Sequence, residues 1–419
     1  MNKLTDKFRS LKKVLTDRKF WAFFGTGLIV SVAYMDPGNW GTSISSGASF
    51  NYDLLWMIWL SSIMAMLFQY ISGKIGIAGY SVAEIIKLKW KNKFLVIVYW
   101  LLAEISILAT DLAEFLGIVV ALNLLFGIPL LIGTFIAILD VLLLLLLTKK
   151  NFRSLEYAFI LFVSVIGIGY VYELLITNPD VALIAYHSIT PILTPDTILL
   201  AVGIIGATVM PHALFVHSWL LKNKMKENGK IEKETALKYH TIENVISLVV
   251  AGLINAAILI MAAAAFYNSG YEVATIDEAY KTLTPLFGNL ASLIFAVALL
   301  SAGVSSSITG TLAGQSIMES LTDFKLSVTV RRIITRGINL IPLLIAIILK
   351  IEPLQILVYS QVILSLLIPL PLIPIIYYSS DKKLMGKLVN KRITTVVASL
   401  FGIIILIFNA YLLYETFLA

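Results

Sequence analysis

The sequence predicts an all-α integral membrane protein of about eleven transmembrane helices, and three observations carry that reading. Of its 419 residues, 59% are hydrophobic and only 14% are charged, where globular chains carry about 45–50% and 25%. Apolar runs of the roughly 20 residues needed to span a bilayer recur along the whole chain. The basic residues fall between those runs on alternate sides, as they do when a chain threads a membrane with its positive loops inside.

The spans fall near 20–47, 53–76, 94–123, 128–147, 155–175, 196–221, 242–266, 286–318, 333–349, 354–378 and 393–415. With the N-terminus inside, 30 of the 32 Lys and Arg lie on the cytoplasmic side, and only Lys281 and Lys350 lie outside. The tail over 1–19 carries Lys3, Lys7, Arg9, Lys12, Lys13, Arg18 and Lys19 and runs into the first span without a small-residue cleavage pattern. An odd number of spans leaves the C-terminus extracellular. The net charge of +7 is thus a topology signal, and no nucleic-acid partner is expected. The absence of cysteine excludes disulfides, thiolate metal sites and thiol nucleophiles. The stretch 176–195 is long enough for a short helix on the outer surface.

Two spans are interrupted. Asp36-Pro37-Gly38-Asn39 sits in the middle of the first and Met210-Pro211-His212 in the middle of the sixth. Proline lacks an N–H and glycine is a poor helix former, so both helices should unwind there. Five spans separate the breaks, which inverts the second unit relative to the first. Interrupted segments at matching positions of two inverted halves mark the central site of a secondary transporter. Pro342, Pro369, Pro371 and Pro374 read as plain kinks. Asp36 does not, because an unpaired carboxylate at mid-membrane costs at least about 2.5–3.5 kcal/mol.

The residues at the breaks suggest a ligand. Asp36 supplies an anionic oxygen, Asn39 a neutral one, Ala207 a backbone carbonyl and Met210 a thioether. Calcium and magnesium prefer shells made wholly of oxygen, whereas a softer donor shifts preference toward first-row transition metals. Met210 taken alone would read as packing. On the third span, separations of seven and three residues place Glu104, Asp111 and Glu114 on one face, a pattern suited to moving protons. Glu104 also fits a place at the inner boundary, paired with a loop lysine. Asp140 on the fourth span is accounted for by a helix-to-helix hydrogen bond. His212 follows the second break and titrates near neutral pH. His217, five residues on, lies on another face, which excludes a paired zinc site, and reads as an ordinary hydrogen-bonded histidine. Arg331, Arg332 and Arg336 open the ninth span either as snorkelling anchors or as counter-charges to the acidic face.

The strings AYMDPGNW (33–40), ATDLAEFLG (109–117), GATVMPHALFVHS (206–218), SSITGTLAGQ (306–315) and RRIITRG (331–337) together resemble the Nramp family over about residues 20–378. Its members are proton-coupled divalent metal transporters, and the bacterial ones are manganese importers of the MntH type. The resemblance implies a LeuT-type 5+5 inverted repeat (about 20–175 and 196–378) with helices 1 and 6 broken, followed by a loop and an additional helix over 379–419. It implies metal ligands at Asp36, Asn39, Ala207 and Met210, with Ala33 and Gln361 joining in some conformations. It places protons on Asp36, Glu104, Asp111, Glu114 and His212, with Arg331 and Arg332 near the exit and Gln69 as a polar position beside the site. Two positions depart from the family pattern: Ala213 stands where an asparagine is usual, and Leu367 where many members carry glutamine. Met210 separates the chain from a magnesium-transporting branch that lacks the methionine.

The expected partners are therefore a divalent metal ion such as Mn2+, Fe2+, Co2+ or Cd2+, the proton and the lipid bilayer. The metal is cargo, so no cofactor is expected, and a monomer suffices. The competing readings are a LeuT-type symporter of a small organic solute, a channel, and an intramembrane hydrolase. The last lacks both GxSxG and HExxH, and a channel would not require two inverted breaks.

Overall fold

The computed structural model describes residues 14–141, 152–227, 231–267, 278–279, 284, 286, 288–322, 324 and 326–418. Among them every regular element is helical. The first span is two half-helices, α1 (Thr26–Ala33) and α2 (Pro37–Phe50). The chain continues through α3 (Leu55–Ala78), α4 (Lys93–Phe126), α5 (Leu130–Ala137) and α6 (Phe152–Thr177). The sixth span is again split, into α7 (Ile198–Val209) and α8 (Pro211–Glu227). Then follow α9 (Lys233–Ala262), α10 (Asn289–Leu321), α11 (Val328–Ile348), α12 (Pro353–Leu367), α13 (Pro369–Ser379) and α14 (Arg392–Phe417).

Eight helices of the described residues are long and apolar enough to cross a membrane. The other three expected spans miss that measure for separate reasons. The first is cut into halves of 8 and 14 residues. The fourth, expected over 128–147, lies partly outside the described residues. The ninth carries three arginines, and its polar face is turned inward: Arg331, Arg332, Thr335, Arg336 and Asn339 are buried, while Ile333, Ile341 and Ile345 point outward. Such an inside-out helix belongs among other helices with lipid at its back. The sequence reading started the first span at residue 20. Instead a short helix, Arg18–Phe23, precedes α1 and is separated from it at Gly25, whose φ of 132° few residues other than glycine adopt.

Side chains tie the connecting segments into two opposite faces. On one, Lys222 pairs with Glu84 at 2.5 Å, Lys387 with Glu234 at 3.3 Å and Lys89 with Asp381 at 3.8 Å. Lys233 donates to the Ala78 carbonyl there, at 2.8 Å. On the other, the indoles of Trp56 and Trp59 donate to Ile192 O (3.1 Å) and Ser188 Oγ (3.0 Å), and His187 meets Asp53 at 3.3 Å. The expected outer surface helix is present as Val181–Ile189 on that second face.

The core lies where α2, α4, α7, α9, α10 and α12 meet, with α4 and α10 in the most extensive contact. Small residues permit the approach. A Cβ on Gly303 would stand 3.2 Å from the Glu114 carbonyl, and one on Gly310 2.9 Å from the Glu114 carboxylate. The last helix is pinned by polar groups: Ser365 donates to Asn409 Oδ1 at 2.7 Å, and Asn409 Nδ2 returns a bond to Ser365 O at 2.9 Å.

Candidate functional site at the two helix breaks

The first break is local chemistry. The N–H groups of Tyr34, Met35 and Asp36 reach back three residues, to Ser31, Val32 and Ala33 at 3.1–3.3 Å, so the helix tightens and ends. Pro37 then occupies the first turn of α2, where its missing N–H costs nothing. Asp36 is the N-cap, its Oδ1 accepting from the Asn39 backbone at 2.8 Å. The second break is one residue. Met210 lies at φ 47°, ψ 99°, a conformation that strains a side-chain-bearing residue and that proteins keep mainly at functional sites. The following Pro211 disfavours helical backbone at Met210.

These breaks meet in the interior. Asp36 and Met210 have no exposed surface at all. Asn39 Nδ2 donates to Asp36 Oδ1 and to the Ala207 carbonyl across the gap, both at 2.8 Å. Asn39 Oδ1 is held from behind by Asn255 Nδ2 at 3.1 Å, and Thr208 approaches it at 3.5 Å. Among the described residues Asn255 Oδ1 has no hydrogen-bond partner, and neither do Asp36 Oδ2 and Gln361 Oε1 nearer the gap. The Asp36 and Gln361 side chains lean over Gly38. A Cβ there would lie 2.9 Å from Asp36 Oδ2 and 2.0 Å from Gln361 Nε2, so only glycine leaves this space. The Ala33 carbonyl accepts from Asp36 N at 3.3 Å in this conformation.

A second polar group joins α4, the segment after α5, and α11. Arg331 pairs with Glu104, whose other oxygen accepts from Trp100 at 2.9 Å. Arg332 pairs with Asp111 and, at 2.5 Å, with Asp140. Arg336 meets Asp140 at 2.5 Å and Asp111 at 3.3 Å, and covers the Phe115 ring at 4.4 Å. Asn339 donates to Asp111 Oδ2 at 2.7 Å and Ser307 to Asp140 at 3.2 Å. The arginines are thus counter-charges and not snorkelling anchors, Glu104 takes an arginine in place of a loop lysine, and Asp140 is shared between two guanidinium groups. Glu114, fully buried beside Gly310, has no hydrogen-bond partner on either oxygen among the described residues.

Between the two regions stands His212. The Thr110 hydroxyl donates to Ser106 O (3.0 Å), so at 2.9 Å it accepts from His212 Nδ1. In the tautomer that this hydroxyl orientation selects, the ring proton is on Nδ1 and Nε2 is an acceptor with no partner among the described residues; the opposite orientation puts the proton on Nε2. His217 Nδ1 bonds Gln69 Oε1 at 2.8 Å, and Gln69 Nε2 donates to the Tyr34 hydroxyl at 2.9 Å, linking α8 through α3 to the first break.

The family described as natural resistance-associated macrophage protein-like (Nramp) matches residues 27–415. The chain belongs to the Nramp family. It is similar to proteins named divalent metal cation transporter MntH from Mesorhizobium japonicum (41% identity over 408 residues, 95% of this chain and 90% of that protein) and Listeria welshimeri (42% over 409 residues, 95% and 91%). The structure resembles that of a manganese transporter from Eremococcus coleocola, with a TM-score of 0.84 at 32% identity over 95% of this chain and 88% of that one. It also shares its fold with Mhp1, a nucleobase-cation-symport-1 transporter, at a TM-score of 0.60 and 16% identity over 94% and 89% of the chains. The LeuT-type arrangement expected for an Nramp chain is therefore the fold observed.

In this Nramp protein Ala213 is buried directly after His212, and Leu367 ends α12 with its side chain half-buried. Three polar residues escaped the sequence reading. Asn255 donates both to Asn39 and to the Tyr34 carbonyl, the latter at 2.8 Å. His240 packs edge-on against His217, 4.9 Å between ring centres. Glu243 reaches the start of α1. Each stands in α9, and a lone amide within the apolar run AGLINAAILIMA is a signal that was available. Among the described residues no three His, Asp or Glu side chains are grouped as a metal would need. A cation bound here relies on one carboxylate and neutral donors.

Proposed function

We propose that this protein is a proton-coupled secondary transporter importing divalent transition metal ions, Mn2+ foremost with Fe2+, Co2+ and Cd2+ as further cargo, by alternating access. The observation that carries the proposal is Asp36 Oδ2, unpartnered among the described residues and facing the space over Gly38 between the helix breaks, with the Gln361 side chain, whose Oε1 is also unpartnered, lying across the same glycine. Buried oxygens without donors are costly, and a cation removes that cost. In the present arrangement the Asn39 amide N–H group stands between Asp36 Oδ1 and Ala207 O, where a metal would bridge them. Metal entry turns that amide so that its oxygen faces the ion. Met210 supplies the thioether that disfavours Ca2+ and Mg2+, and the carbonyl of Ala33 becomes available once its turn opens. The MntH names and the manganese transporter structure point the same way.

For the proton we propose a route from Asp36 by way of His212 and Glu114 to Asp111 and Glu104, with Arg331 and Arg332 holding the last two carboxylates. Glu114 and His212 are the members with free acceptor atoms and so are the carriers. We propose the face bearing the lysine bridges as the cytoplasmic one, with the N-terminus inside and the C-terminus outside the cell membrane; the positive-inside distribution of Lys and Arg supports this. A monomer performs the cycle without a resident cofactor and without catalysing a chemical step. The fold shared with Mhp1 gives no support to an organic solute, since an empty amide-lined pocket does not require a carboxylate facing a thioether.

The test is Mn2+ uptake into proteoliposomes enclosing a pH-sensitive dye, with excess Ca2+ or Mg2+ outside. The expected result is Mn2+ entry with internal acidification, resistant to competition in the native chain and sensitive to it in Met210→Ala. No Mn2+ flux under any gradient would sink the proposal.

A further inference from the structure

Helix α1 is eight residues long and all eight are buried. Its outer end runs into the break that carries Asp36. Its inner end is held by a residue with no place in the metal or proton chemistry above. Glu243, on α9 and buried, accepts through Oε1 from Gly25 N at 2.6 Å and Gly27 N at 2.7 Å, and the Thr26 hydroxyl approaches Oε2 at 3.4 Å. These N–H groups are ones that a helix start leaves unpaired, and a carboxylate there also meets the positive end of the helix dipole. The local sequence is shaped to receive it. Gly25 takes a φ of 132°, and a Cβ on Gly27 would lie 2.9 Å from Glu243 Cγ. From the other side Lys224 of α8 donates to Phe24 O at 2.9 Å and covers the Phe23 ring at 5.6 Å.

We infer that Glu243 is a positioning residue that latches α1 in the inward-closed state, and that breaking its bonds to Gly25 and Gly27 frees α1 to pivot about the Tyr34–Asp36 break and open the site to the cytoplasm. The inference rests on the alternating-access reading above. A carboxylate that merely stabilised the fold would act on every state alike, whereas a latch shifts the balance between two states.

The chain has no cysteine, so a single Ile29→Cys, on a side chain with no exposure, reports opening of α1 to a membrane-permeant maleimide. Ala302→Cys, equally buried on α10, reports integrity of the fold. Glu243→Ala is expected to raise Ile29→Cys labelling about tenfold or more, as for the loss of hydrogen bonds to a charged group, while Ala302→Cys stays protected. Glu243→Gln keeps an acceptor oxygen and should fall between the two. In proteoliposomes the apparent KM for external Mn2+ should rise in the same order with a smaller change in maximal rate, because inward-dwelling molecules present fewer sites outside. Should Glu243→Ala expose Ala302→Cys as well, Glu243→Gln decides, since it must raise Ile29→Cys labelling alone. Unchanged Ile29→Cys labelling in both variants, or equal rises at both positions in Glu243→Gln, would overturn the latch. A labelling shift in a protein that moves no Mn2+ would leave the latch standing and remove the transport reading.

Discussion

The ion-pair cluster of α4 and α11 and the site between the helix breaks both bury carboxylates away from water, and they settle them differently. Asp111 receives two guanidinium groups and an amide, from unbroken helices. Asp36 is held by the N–H groups of Asn39 and keeps one oxygen unpartnered among the described residues. A satisfied cluster fixes helices relative to one another, and removing one member leaves an uncompensated charge. An incompletely satisfied site on unwound backbone can take a further partner and give it up again. Glu114 and His212 lie between these extremes, each with a free acceptor atom and neither with an ionic partner at hydrogen-bond distance, which suits carriers more than anchors.

This contrast can be broken by experiment. The largest effect is expected for Asp36→Ala, which should reduce Mn2+ uptake to background and binding by more than about 100-fold, with a melting temperature close to the native one. Arg332→Ala should do the reverse. It leaves Asp111 and Asp140 to share the guanidinium of Arg336 and should cost about 3–5 kcal/mol of stability, seen as a lowered melting temperature in detergent. Met210→Ala should weaken Mn2+ binding about tenfold and admit Ca2+ and Mg2+ in competition assays. Glu114→Gln should change stability by less than about 1 kcal/mol, because neither oxygen has a partner to lose, yet lower the protons delivered per Mn2+ in the dye assay. A Glu114→Gln protein that loses fold, or an Arg332→Ala protein as stable as the native chain, would erase the distinction between anchor and carrier.

Much of this was legible in the sequence because proline, glycine and charge stand out in an apolar run. Asp36-Pro37-Gly38-Asn39 and Met210-Pro211 gave the breaks, and the spacing of Glu104, Asp111 and Glu114 gave a common face. What stayed hidden were partnerships between distant residues. Arg332 and Asp111 are 221 positions apart, so whether the arginines snorkel or turn inward depends on how helices pack, which periodicity within one helix does not reveal. Asn255 and Glu243 were overlooked for a different reason. Their function lies in the backbone and amide groups they hold, and no motif marks a residue that serves by reaching another helix. The start of the first span was misplaced because Phe20 to Phe24 are apolar enough to continue it, while the single glycine that ends the short preceding helix is an ordinary sight in membrane sequences.

Whether the two breaks together hold a metal is measured most directly by calorimetric titration of Mn2+ into purified protein. Binding of one ion per chain is predicted, abolished by Asp36→Ala, weakened by Met210→Ala and by Asn39→Ala, and untouched by changes at His187 in the Val181–Ile189 helix, away from the breaks. Mn2+ binding of native strength in both Asp36→Ala and Asn39→Ala would contradict it, since the ion would then lie elsewhere in the protein.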